Sequence, residues 1–144
     1  MPITPPVPHT VDSLNQIGQG TLPGHLGIRV ITLQGTELVA ELTVMPFLLA
    51  PNGYLHAGTV VTLADTAAGY ACLTNLPEGA SGFTTIELKS NHLSTALDGV
   101  IYCVASPVHL GKTTQVWDAV VKNRANDRTL AMFRCTQMIL YPKK

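Results

Sequence analysis

Asp65 is the sole charged side chain between Ala57 and Leu73, in a stretch rich in alanine, leucine and valine. A lone carboxylate there is costly unless it is paired, hydrogen-bonded or functional. The structural alternative is a carboxylate that faces a polar seam, caps a loop or pairs with a distant lysine. On the one-charge pattern alone the two readings stand level, because structural ion pairs also perturb carboxylates. Just upstream lies Gly53-Tyr54-Leu55-His56-Ala57-Gly58. If a helix begins there, its first N–H groups have no intrahelical partner and carry the positive end of the helix dipole. A substrate carbonyl oxygen would then meet an oxyanion site made by the Ala57 and Gly58 N–H groups. Small residues let a substrate approach that backbone closely. Asp65 follows Ala57 by a little over two turns, roughly 12 Å along the helix. One chain cannot bring both to a single carbonyl, so if both take part, two chains contribute.

The elements that must position these groups follow from spacing and turn chemistry. Residues 1–10 hold four prolines and read as a loose leader, with one domain over 11–144. Val11–Gly20 suits a short helix capped by Asp12 or Ser13 and ended by Gly18 and Gly20. Pro23-Gly24 reads as a turn. Leu26–Leu33 and Leu38–Val44 alternate as a hairpin around Gln34-Gly35-Thr36. After a Pro51-Asn52-Gly53 turn, Ala57–Thr74 reads as one long helix, apolar nearly all round and so buried on most sides, with Pro77 and Gly79 stopping it. Phe83–Leu93, Val100–Val108, Thr114–Asn123 and Thr129–Leu140 read as strands. The turns at Leu97-Asp98-Gly99, Leu110-Gly111-Lys112 and Asn126-Asp127-Arg128 make them a meander. An α+β fold satisfies this order: a curved antiparallel sheet wrapped around one long central helix.

Composition narrows the partners. Of 144 residues, 46% are hydrophobic and 12% charged, against about 25% charged in an ordinary soluble domain. No run reaches the roughly 18 apolar residues a spanning helix needs, so the apolar excess points to surface buried between copies. Nine basic and nine acidic residues leave no net charge and no basic stripe, which argues against nucleic acid. The N-terminus has no secretory pattern. Cys72, Cys103 and Cys135 are odd in number and sit in apolar contexts, as buried free thiols in a reducing cytoplasm would. His9, His25, His92 and His109 lack metal-ligand spacing, so no metal is expected.

The helix start and the following Leu63-Ala64-Asp65-Thr66-Ala67 resemble the His-Gly-Gly and Leu-Ala-Asp/Glu signature of hotdog-fold thioesterases, in the PaaI-like and 4-hydroxybenzoyl-CoA thioesterase group. Thr85-Ile86-Glu87-Leu88-Lys89-Ser90-Asn91-His92-Leu93 resembles the strand that follows there, and His109-Leu110-Gly111-Lys112 resembles its later turn. The likeness runs from about Gly24 to Tyr141. It implies hydrolysis of an acyl-CoA thioester to a free acid and coenzyme A, with an aromatic or medium-chain acyl group and no cofactor. It implies that Asp65 attacks the thioester or activates a water, while the Ala57 N–H polarises the carbonyl. The active site would lie at a homodimer interface, usually within a homotetramer. There are departures. Ala57-Gly58 replaces Gly-Gly but keeps the N–H. Ala50 stands where relatives often carry asparagine, so Asn52 either takes that role or serves the turn. Ser94-Thr95 replaces an Arg-Pro pair.

His56 positions the carbonyl or shapes the loop, because no neighbour completes a nucleophile–base pair with it. Thr66 reads as an ordinary helix residue. Thr85 gains weight as an assisting hydroxyl from its place in the resemblance. Lys89, Lys112 and Arg124, with His109 in the Gly-containing turn, are the candidates for the coenzyme A phosphates. A hotdog dehydratase of 3-hydroxyacyl thioesters, pairing His56 with Asp65, and a non-enzymatic acyl-CoA binder are the alternatives.

Overall fold

The computed structural model describes residues 8–144, so most of the expected leader lies outside the described residues. Thr10 caps α1 (Val11–Ile17). Its side-chain oxygen accepts from the Ser13 N–H at 3.1 Å, and Ser13 Oγ accepts from the Thr10 N–H at 2.8 Å. This reciprocal box replaces the expected caps, leaving Asp12 inside the first turn and Ser13 as the third helical residue. The helix also ends short of Gly20, with Gly18 as its C-cap. Pro23 and Gly24, expected as a turn, lie inside a short helix, α2 (Leu22–Leu26). A proline in the first turn loses no hydrogen bond there. Gly24 permits a close crossing: a Cβ on it would lie 2.2 Å from the Gly18 carbonyl oxygen.

The expected hairpin forms from β1 (Arg29–Gln34) and β2 (Glu37–Thr43), with Gln34 opposite Glu37 and Gly35 at φ +59° in the turn. A 3-10 turn at Pro46–Leu48 then leads toward α3 (Ala57–Thr74), which has the expected bounds. Asn75 ends α3, with Nδ2 donating to the Ala71 carbonyl at 2.8 Å; Pro77 and Gly79 lie beyond that end. The remaining strands are β3 (Gly82–His92), β4 (Val100–Leu110), β5 (Thr114–Asn123) and β6 (Thr129–Leu140).

One six-stranded antiparallel sheet results, in the order β1-β2-β4-β5-β6-β3. Strands β4, β5 and β6 are the expected meander. β3 is not part of it: it pairs β6, not β4, and forms an edge of the sheet. α3 carries the chain across the concave face, so the strand after it lands at the far edge. The curved sheet around a single long helix is the hotdog arrangement.

The core lies between the helix and the sheet. Leu38, Ala40 and Leu42 on β2, Ile101, Cys103 and Ala105 on β4, and Trp117, Ala119 and Val121 on β5 point inward with period two. Leu63, Ala64, Ala67, Ala68, Ala71 and Cys72 answer from α3, all fully buried. The alanines let the helix lie close to the sheet. Each buried Leu or Ile contributes about 1.5–3 kcal/mol. All three cysteines are free and buried, and burial pushes the Cys72 and Cys135 thiols up to about 12. The other face of α3, carrying Val61, Thr62, Asp65, Thr66, Tyr70 and Leu73, is only half-buried in the single chain. The expected burial on most sides is therefore incomplete in one copy.

Candidate active site

The loop before α3 is built to deliver its first turn. Gly53 takes φ +87°, and its N–H donates to the Ala50 carbonyl at 2.9 Å. Asn52 Oδ1 accepts from the Tyr54 N–H at 3.1 Å, so its oxygen serves the turn. The His56 N–H donates to the Leu48 carbonyl at 3.1 Å, and Thr59 Oγ donates to the same carbonyl at 2.9 Å. These bonds anchor the helix start from both sides.

His56 is the N-cap of α3, and its Nδ1 accepts from the Gly58 N–H at 2.7 Å. An accepting Nδ1 leaves the imidazole proton on Nε2. Gly58 is needed for this contact, since a Cβ there would lie 2.9 Å from His56 Nδ1. The Gly58 N–H is thus engaged within the chain. The Ala57 N–H, one residue earlier, donates to no group among the described residues. Ala57 and Gly58 are both exposed. An outward N–H at a helix start, without a large side chain over it, is free to bind a carbonyl oxygen.

Asp65 is half-buried on the uncovered face of α3. Its Oδ1 is shielded from water and has no hydrogen-bond partner among the described residues. Burial raises its carboxyl above the ordinary 3.8. A carboxylate held this way is a stronger base than one in water. It lies about 12 Å along the helix from Ala57.

Thr85 lies on β3 beside a bulge between Thr85 and Glu87, a device that re-aims side chains and recurs next to active sites. Its Oγ–H donates to Gln137 Oε1 at 2.6 Å. Gln137 is fully buried on β6 and was not among the candidates above. It interrupts the apolar inward row Phe133, Cys135, Ile139, a break that shows only once pairing fixes the strand's inward face. Gln115 interrupts the matching row of β5, accepting from Trp117 Nε1 at 2.8 Å and donating to the Asn75 carbonyl at 2.8 Å, which ties the end of α3 to the sheet.

The four phosphate candidates do not gather in one chain. Lys89 is opposite Arg134, on the outer face of the sheet, where Arg134 makes a two-pronged pair with Asp118 at 2.6 and 2.9 Å. Arg124 contacts Glu41 at 3.0 Å and lies 4.4 Å over the Tyr102 ring. Lys112 and His109 sit at the β4–β5 turn. Gly111 allows His109 to fold over it, since a Cβ there would lie 2.6 Å from His109 Nε2. Among the described residues, no three His, Cys, Asp or Glu side chains converge as a metal site would require. No helix among them is long and apolar enough to cross a membrane.

Comparison with known proteins fits this geometry. Residues 52–129, which span the helix start, Asp65 and Thr85, match the model of the Thioesterase superfamily. A 1,4-dihydroxy-2-naphthoyl-CoA hydrolase from Escherichia coli is 35% identical over 75% of this chain and 79% of its own length. The crystal structure of a thioesterase from Haemophilus influenzae superposes with a TM-score of 0.88 at 27% identity, covering 94% of this chain and 93% of that one. The PaaI protein of the Escherichia coli phenylacetic acid degradation operon gives 0.74 at 28% identity, over 82% and 83%. This chain belongs to the Thioesterase superfamily and is a hotdog-fold thioester hydrolase.

Proposed function

We propose that the chain hydrolyses acyl-CoA esters to a free acid and coenzyme A, and that the catalytic unit is a homodimer. The observation that carries this is the Asp65 carboxylate. It is half-buried, its Oδ1 is unpartnered, and it sits on a helix face that its own chain leaves uncovered. In this reading the Ala57 N–H of one protomer polarises the thioester carbonyl, and His56 helps to orient the same oxygen. Asp65 of the other protomer acts as base or nucleophile, with Thr85 assisting. The open edge of β3 supports the pairing: Ile86 and Leu88 are 53% and 43% exposed on it. An open edge strand of 11 residues is a ready template for pairing with a second chain. Two such dimers would join as a tetramer through the outer sheet face, where Val39, Val104, Val120 and Met132 lie across from one another on neighbouring strands.

Lys112, Lys89, His109 and Arg124 remain the candidates for the phosphates. The acyl group is proposed to be aromatic or medium-chain; the naphthoyl-CoA substrate in the name of the Escherichia coli relative favours the aromatic choice. Engagement of His56 Nδ1 by Gly58 supports a positioning role over proton abstraction, and so supports hydrolysis over dehydration. Purified protein assayed against aromatic, short and medium-chain acyl-CoA esters, beside Asp65→Asn, tests the proposal. Thiol release by wild type that Asp65→Asn loses is expected; equal turnover by both would sink the assignment.

A further inference from the structure

Gln137 is fully buried, and both ends of its amide are committed. Oε1 accepts the Thr85 hydroxyl at 2.6 Å, and Nε2 donates to Cys135 Sγ at 3.5 Å. A hydroxyl has one proton to give. With that proton on Gln137, Thr85 presents only lone pairs to any further partner. An ionised Asp65 also only accepts. Both flank the contact between α3 and β3. The Phe83 ring marks the crossing point: a Cβ on Gly69 would lie 3.3 Å from Phe83 Cζ. Thr85 lies two residues further along the same face of β3, about 6.6 Å on. Asp65 lies four residues before Gly69, about 6 Å or one turn along α3. Cys135, which accepts from Gln137, is close enough to Asp65 to feel its charge.

Two neighbouring acceptors call for a ligand with two hydrogens on a single atom. We propose that Gln137 is a positioning residue that holds the Thr85 hydroxyl as an acceptor, so that a water between Thr85 and Asp65 is the group that attacks the thioester. This inference rests on the hydrolysis reading above and selects water over the carboxylate as nucleophile. The water gives one hydrogen bond to each acceptor and keeps a lone pair for the carbonyl carbon. As the new C–O bond forms, its proton passes to Asp65 and the carbonyl π pair moves onto oxygen. Collapse restores the C=O bond and breaks the C–S bond. Asp65 returns the proton to sulfur, giving the acid and the free thiol of coenzyme A.

The test is a double-mutant cycle of Thr85→Val and Gln137→Met on the best acyl-CoA substrate. Each single change is expected to lower kcat about 10- to 100-fold, as a misplaced reacting group does, with KM within about twofold. If Gln137 acts through the Thr85 hydroxyl alone, the double variant is no slower than Thr85→Val, and Thr85→Ser recovers most of kcat. Wild-type kcat in Gln137→Met, or losses that multiply in the double variant, would overturn the inference while leaving hydrolysis standing. Should Gln137→Met fail to fold, one turnover with excess wild-type enzyme in ¹⁸O-water decides. Labelled acid, with no acyl-enzyme trapped by rapid quench during the turnover, supports an attacking water; a trapped acyl-enzyme, or unlabelled acid with label appearing in Asp65, overturns it. A wild type inert on every acyl-CoA ester overturns the hydrolysis reading, and this inference falls with it.

Discussion

Asp65→Asn removes a charge that the fold holds at a cost, so it should stabilise the protein while stopping the reaction. The carboxyl is raised above the ordinary 3.8 because burial disfavours its ionised form. The folded chain therefore binds that proton more tightly than the unfolded chain. Below 3.8 the group is protonated in both states and carries no penalty. As pH rises from there through the folded value the penalty builds, and above it the penalty is complete. An unsatisfied buried acceptor costs about 1–3 kcal/mol. Only Oδ1 is cut off from water and the residue as a whole is half-exposed, so solvent screening leaves about 1 kcal/mol. For a chain of this size that shifts the melting temperature by about 2–4 °C. Thermal melts of both proteins at pH 4 and pH 7, at equal protomer concentration, read it out. Asp65→Asn should melt higher at pH 7, and the gap should shrink at pH 4. Thiol release should fall by about 10²–10⁴-fold, the usual contribution of a positioned base. A variant that melts lower at pH 7, or a gap indifferent to pH, would refute the account of Asp65 as an unpaired, desolvated carboxylate.

Three further outcomes follow from the same geometry. Ala57→Pro should leave α3 intact, because proline suits the first helical position and His56 at φ −64°, ψ 132° tolerates a following proline. It removes the free N–H and should lower kcat by about 10²–10³. Refolding it in equal amounts with Asp65→Asn should restore about a quarter of wild-type activity, since half the dimers then hold one intact site of two; no recovery would rule out a site shared between chains. Gly58→Ala should push the His56 ring off its 2.7 Å contact, lower stability by about 1 kcal/mol and raise KM, checked by urea unfolding and steady-state kinetics. Ile86→Lys on the open edge of β3 should yield monomers in analytical ultracentrifugation and abolish turnover together.

Boundaries were legible where composition changes sharply. α3, β5 and β6 begin and end where expected because an alanine-rich run and two alternating runs stop at Pro, Gly and Asn signals. The place of β3 was not legible. Turn signals show which strands are joined by short links, but α3 carries the chain from one side of the sheet to the other, and nothing local records where it lands. α2 was missed because Pro-Gly reads as a turn wherever it occurs. Only the Gly18–Gly24 approach, a tertiary fact, explains why the pair sits in a helix.

The site divides the same way. Asp65 stood out because charge in an apolar helix is conspicuous along the chain itself. His56 as an N-cap did not, because that role usually falls to Ser, Thr, Asp or Asn; here it depends on Gly58 leaving room for the ring. Gln137 was silent for a different reason. A glutamine in a strand is unremarkable until its face is known, and its face is set by pairing across the sheet with β5 and β3. Its partner Thr85 is 52 residues away in sequence, so no window along the chain contains both. The chemistry that a single element displays can be read from sequence. The chemistry that comes from one side chain constraining another across the sheet appears only with the fold, and in this chain it bears on which atom attacks the thioester.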